Sequence, residues 1–274
     1  MRSLGLMVLI PVLIAPCRLL AADDWRTWPT GERLKLSVGL YAPGMDTEAT
    51  ISQVNGLAGT PVDFEDDLGL ESTQTALFAS INLRLFERHE LNFNYYNLDR
   101  SAVDTLAEPL VFNGVVFPAG TRTDTVFDLA VYEMSYSYSF LFDQTKNLRF
   151  GFGVSAQNLD FRIASTDFPL LSTDESFVVP LPTLNVGADY ALTDNWLLGA
   201  NFGYMNADIQ ISGDTVDATV LIADAGVHWK PLRNVGVGLN YSLFHLDGNY
   251  SNKSIDAQLD LDYAGPQLSL DVFF

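Results

Sequence analysis

From Glu32 onward apolar and polar residues alternate with period two over long stretches, and no stretch sustains the 3.6-residue repeat of an amphipathic helix. Between 195 and 205, Trp196, Leu198, Ala200, Phe202 and Tyr204 share one face of an extended chain, and Leu197, Gly199, Asn201, Gly203 and Met205 share the other. The pattern recurs with Leu148, Phe150, Phe152 and Val154 against Arg149, Gly151, Gly153 and Ser155, and with Val235, Val237, Leu239 and Tyr241 against Gly236, Gly238 and Asn240. One face is bulky and the other small or polar, the distribution wanted where bulky residues meet lipid and small polar ones line a lumen. Runs of 12 to 20 residues are long for ordinary strands but suit tilted strands that cross a bilayer with about 9 to 11 residues and extend beyond it.

The connections alternate between tight turns (87–89, 143–146, 193–194, 232–233) and longer, more polar loops (44–71, 101–121, 163–177, 211–216, 248–254). That alternation predicts an all-β fold, a transmembrane antiparallel up-and-down β-barrel with periplasmic N- and C-termini. Upward strands fall near 32–43, 90–100, 147–161, 195–210 and 234–247, and downward strands near 72–86, 122–141, 178–191, 217–230 and 255–274. Ten strands is the central count. Eight to twelve are open, because Thr47–Ser52 could extend the first strand or form a hairpin and the alternation loses phase at Gly265-Pro266. A bulge there would absorb the extra residue, and proline cannot donate to a ladder.

The N-terminus changes the picture of where the chain goes. Arg2, an apolar stretch from Leu4 to Pro16 and the small pair Ala21-Ala22 before Asp23-Asp24 read as a signal peptide over 1–22, leaving 23–274 as one barrel domain. The stretch is too short for a spanning helix and is broken by Pro11. Cys17, the one cysteine, lies in the segment removed, which excludes disulfides and thiolate chemistry from the mature chain. A formal charge of −19, borne mostly outside the leader, excludes nucleic acid as a partner.

Charges on the small-residue parity are candidates for a lumen network: Lys35, Arg84, Glu133, Arg149, Asp189, Asp224, His228, Lys230 and Asp271. Counting depth from the turns pairs Arg149 with Asp189, and Lys35 with Asp271 where the first and last strands close the ring. Such charges must be paired or neutralised, and either a structural network or an ion path follows. Of the three histidines, His89 falls in a turn, His228 in the lumen, and His245 on the lipid-facing parity near the outer rim, two residues from Asp247. The first long loop carries Asp63, Glu65, Asp66 and Asp67, carboxylates that could hold calcium, although their spacing is not that of an EF-hand.

Two stretches carry a resemblance. Leu268, Leu270, Val272 and the terminal Phe274 look like the C-terminal signal by which bacterial outer-membrane proteins reach the barrel-assembly machinery. Asp189-Tyr-Ala-Leu-Thr-Asp-Asn-Trp196 is similar to the periplasmic turns of small OmpA- and OmpW-type barrels, while Asp63-Phe-Glu-Asp-Asp-Leu-Gly-Leu70 with Phe117-Pro-Ala-Gly-Thr121 resembles proteobacterial barrels of unassigned role. The resemblance implies the outer membrane of a Gram-negative cell, with lipid, lipopolysaccharide, the assembly machinery and periplasmic chaperones as partners, and no cofactor. The expected function is a non-enzymatic envelope or surface protein, or a narrow solute conduit with a largely plugged lumen. Two other readings stay open: an outer-membrane lipid hydrolase or protease using His245, and an adhesin acting through the long acidic loops.

Overall fold

The computed structural model describes residues 32–274 except 55, 169, 212, 213 and 233; the predicted leader lies outside the described residues. Among the described residues fourteen strands form: β1 (Leu34–Tyr41), β2 (Gly44–Gln53), β3 (Val62–Asp63), β4 (Ala76–Phe86), β5 (His89–Thr105), β6 (Leu110–Phe112), β7 (Val115–Phe117), β8 (Arg122–Phe142), β9 (Lys146–Ser165), β10 (Ser172–Thr193), β11 (Trp196–Ile211), β12 (Asp214–Leu232), β13 (Val235–Ser251) and β14 (Ile255–Phe273). Twelve of them make one antiparallel sheet, and pairing of β1 with β14 closes it into a ring of the kind found in barrel-type transmembrane folds.

The first strand is longer than its alternation suggested. β1 pairs with residues 267–273 of β14 and β2 with residues 255–264, so the two are successive halves of one stave broken at Ala42-Pro43. The stretch Thr47–Ser52 therefore extends the first strand. The expected bulge at Gly265-Pro266 does not form. Tyr41 faces Gln267 and Gly44 faces Ala264 in one uninterrupted register, and β13 pairs straight past both residues.

What changes at that point is the polarity of the two faces. Below it, Leu268 and Leu270 are exposed on the outside of the ring while Ser269 and Asp271 are buried inside. Above it the outward positions are Asp262 and Asp260, and the buried inward ones are Tyr263 and Leu261. The same swap occurs in β9, between exposed Phe152 and Val154 and buried Leu159, Phe161 and Ile163, and in β13 between exposed Leu243 and buried Phe244. Each stave thus has a lower part, near the tight turns, that is apolar outside and polar inside. In the staves that run on past this belt, the upper part, near the loops, is polar outside and apolar inside, as water outside and a packed core inside require.

The upper interior is a packed core. Phe64, Leu68 and Leu70 of the segment after β3 are buried in it, with Phe64 stacked on Phe161 at 4.7 Å and edge-on to Phe127 at 5.3 Å. The β6–β7 hairpin adds Leu110, Phe112 and Phe117, all buried. Its turn is Asn113-Gly114, both at positive φ, the two-residue geometry that matches strand twist.

Candidate functional site

Under the apolar plug lies a polar cavity of about 320 Å³. Its ceiling is aromatic: the Tyr96 and Tyr263 hydroxyls lie 2.6 Å apart, Tyr41 meets both rings edge-on, and Phe244 stacks on Tyr263 at 4.5 Å. Its walls are the small and polar inward positions of the lower ring, among them Asn94, Asn185, Asn201 and Asn240.

Every charge expected in the lumen faces it or is buried beside it. A continuous chain of bonds runs around the wall. Arg84 pairs with Glu90 at 2.6 Å, Glu90 accepts from Asn147 at 3.0 Å, and Asn147 also donates to Asp189. Arg149 bonds both Asp189 and Asn201, and Asn201 donates to Asp224 at 2.9 Å. Glu133 accepts from Asn94 at 3.0 Å. Lys230 pairs with Glu32 and lies over the Phe273 ring. Arg149 and Asp189 are therefore brought together, diagonally: their direct partners across the ladder are Gly187 and Asn147.

Lys35 and Asp271 are not opposite each other. The register sets Lys35 against Phe273 and Ser37 against Asp271. Asp271 is bonded to His228, at 3.1 Å, and to the Ser269 hydroxyl, at 3.0 Å, with Ser37 facing it across the closing ladder. His228 reaches it across β13 because the intervening position is Gly238, where a Cβ would lie 2.6 Å from the imidazole. Glu90, Glu32 and the asparagines are the network members that strand parity alone did not single out. Glu90 has the right parity, but its place beside a turn hid its burial.

The remaining candidates separate. Asp63 accepts from the N–H groups of Glu65 and Asp66, Asp67 accepts from that of Asp63, and Glu65 pairs with Arg100, so the four acids of this loop close a turn and a buried ion pair instead of converging on one point. His89 bonds the Tyr136 hydroxyl at 2.7 Å. His245 points out of the ring and bonds Asp262 of β14 at 2.8 Å; Asp247, its expected companion, pairs with Asp260. Among the described residues there is no clear catalytic machinery. At the C-terminal stretch, Leu268 and Leu270 are exposed outside the ring, Val272 shares their parity, and the backbone of Phe274 bonds Leu34 in the closing stave.

Two further features stand out around the ring. The first is a girdle of outward carboxylates just above the apolar belt, several facing each other directly: Asp99 with Asp128, Asp128 with Asp160, and Asp208 with Asp217. Like charges directly opposite are destabilising by about 0.2–1 kcal/mol per pair. Burial, followed by the charges of Asp99 and Asp160, raises the pKa of Asp128. A carboxyl whose pKa is raised on folding destabilises the fold when ionised, and that cost disappears as pH falls through the folded value. Asp128→Asn is therefore expected to raise the thermal midpoint by roughly 1–4 °C at neutral pH, with the gap to the parent closing as pH falls; scans at both pH values check it, and a lower midpoint at neutral pH would refute it.

The second is a seam. The β10–β11 ladder runs from Thr193 and Trp196 up to Leu184 and Tyr204 and stops there, although β10 continues paired to β9 up to Ser172 and β11 continues paired to β12 up to Ile211. Pro180 and Pro182 stand at the start of the unpaired edge. A proline fits a ladder only where its missing N–H faces no partner, and with β9 paired throughout, that side is the one toward β11. Outside the seam Val178 and Leu184 are exposed; inside it Leu181 and Met205 are buried.

By sequence the chain matches no protein family and no curated protein. Its fold is similar to that of the outer membrane protease OmpT from Escherichia coli, with a TM-score of 0.57 at 10% identity over 88% of this chain and 97% of that one. The outer membrane protein OprG from Pseudomonas aeruginosa aligns at 0.46, with 10% identity over 89% of this chain and 96% of that one. The translocator domain of the autotransporter NalP from Neisseria meningitidis aligns at 0.44, with 11% identity over 90% and 91%. Likeness at such identity is a likeness of fold.

Proposed function

We propose that the chain is a non-enzymatic ten-stave barrel of the outer membrane, with both termini on the periplasmic side, closed to ions and admitting small uncharged apolar molecules through the β10–β11 seam into the outer leaflet. The observation that carries this reading is the ladder that stops at Leu184 and Tyr204 while both strands run on. Unpaired backbone at that height is tolerated where protein covers it or where it lines a path. Leu181 and Met205 on the inner side and Val178 on the outer side make the path apolar. Ions are refused by the packed aromatics above the chamber, since a charge would have to shed its water to pass Tyr263 and Phe244.

Two measurements test this together. In planar bilayers the refolded protein is expected to show no discrete conductance steps. In proteoliposomes it is expected to speed equilibration of an uncharged aromatic probe such as N-phenyl-1-naphthylamine at least tenfold over Pro180→Thr/Pro182→Val, which restores two donors and lets the seam zip. Ion steps in the parent, or equal probe rates for the parent and the double variant, would overturn it.

A further inference from the structure

On the outer wall above the belt, three neighbouring strands set six side chains in a two-by-three array. His245 faces Asp262 and Asp247 faces Asp260 across β13 and β14; Asp262 in turn faces Asp46, and Asp260 faces Glu48, across β14 and β2. All six lie on the outward parity, and one nitrogen ligand stands among five carboxylates. The His245 Nδ1 is 2.8 Å from the nearer Asp262 oxygen and 3.9 Å from an Asp260 oxygen, and one donor atom from each of the three residues falls within 4.8 Å of the others.

Donors held about 2.0–2.1 Å from a tetrahedral zinc ion lie roughly 3.3 Å from one another, between the two distances that His245 makes. The three residues also sit on a paired antiparallel ladder, so their Cα positions are fixed before any ion arrives. Asp260 and Asp262, two apart on one strand, share a face. A hydrogen bond between His245 and Asp262 explains that pair alone; it does not explain why Asp260 stands in reach of the same nitrogen with Asp46, Glu48 and Asp247 around it.

We infer that His245, Asp260 and Asp262 form a binding site for a single divalent transition-metal ion on the outer wall of the ring, with water in the remaining positions. The mixed set decides the class of ion. Calcium and magnesium take all-oxygen shells, whereas one imidazole with carboxylates suits zinc, nickel or cobalt. Asp46, Glu48 and Asp247 contribute field, not bonds, and concentrate cations at the wall.

The test is calorimetric titration of the refolded full chain in detergent with Zn2+ and, separately, Ca2+. One Zn2+ per chain is expected, at least tenfold tighter than Ca2+. His245→Ala is expected to weaken Zn2+ at least tenfold and leave Ca2+ unchanged, Asp262→Asn to weaken Zn2+ similarly, and Asp247→Asn to change it less than threefold. All three positions face outward, and unaltered heat-modifiable migration on gels shows that the variants fold. Zinc bound equally by the parent and His245→Ala, calcium bound as tightly as zinc, or no binding at all would each overturn the site.

Discussion

Glu65→Ala is expected to destabilise the fold by about 3–5 kcal/mol, the range for breaking a buried ion pair from one side. The Arg100 side chain is 1% exposed and that of Glu65 12%. Arg100 also donates to the Thr47 hydroxyl at 2.8 Å, and the second Glu65 oxygen accepts from the Thr47 N–H at 2.9 Å. Beside this group, in the same row of the ladders, sits the Phe64, Phe127 and Phe161 cluster, and Arg100 lies 5.0 Å from the Phe127 ring. Removing Glu65 leaves a buried charge with one hydroxyl, the Glu71 carbonyl at 3.4 Å and ring faces as company. Because β4 ends at Ala76 while β5 runs on to Thr105, the segment carrying Glu65 also fills the wall beside β5. The loss should therefore appear as a lowered urea midpoint and as new protease cleavage within 57–75. Glu65→Ala/Arg100→Met should regain most of the stability, since an apolar residue of similar volume has no charge to strand. A single variant within 0.5 kcal/mol of the parent would show that the pair is not what docks the plug.

Face alternation was legible in the sequence because it needs only the parity of neighbours along one strand. The ladders follow it closely: the expected strand at 195–210 is β11, and that at 122–141 is β8. The polarity swap was present in the same letters, for instance in Leu148, Phe150 and Phe152 giving way to Leu159, Phe161 and Ile163. At Gly265-Pro266 it looked like a slip of phase because a strand was assumed to have one environment along its length. Partners across strands are a different matter. Register fixes them, and register depends on turns and closure rather than on any one strand's pattern. Hence Asp271 meets His228 over Gly238, Glu65 answers Arg100 from a loop whose acids read as calcium candidates, and His245 finds Asp262 rather than Asp247. Prolines were only a partial exception. Pro180, Pro182 and Pro266 each delete a donor wherever the register falls, yet the wall breaks only beside the first two; at Pro266 the pairing runs on.

The other large effect is expected at the closing stave. Gly265→Ala should reduce the folded fraction, read as the heat-modifiable band on gels after refolding, at least tenfold. A Cβ at this position would lie 2.2 Å from the Ala42 carbonyl oxygen and 2.6 Å from the Pro43 Cα. Both are backbone atoms of the facing stave, so no rotamer change relieves the contact. The stave cannot swing away either, because the Ala42 N–H donates to the Pro266 oxygen at 3.0 Å and the register is continuous on both sides, Tyr41 with Gln267 and Gly44 with Ala264. Pro43 and Pro266 remove one donor from each strand at the same height, leaving the ladder there with little to spare. Overpacking elsewhere costs about 1–3 kcal/mol; here it acts on the pairing that turns a sheet into a ring, and an unclosed ring exposes two edges to lipid or to other chains. Gly248→Ala is the control: on β13, in the ladder it shares with β14, a Cβ would meet its nearest atoms at 3.6 Å, ordinary contact, and folding should be unchanged. If Gly265→Ala folds as well as Gly248→Ala, the close approach of the two staves is not a requirement of closure.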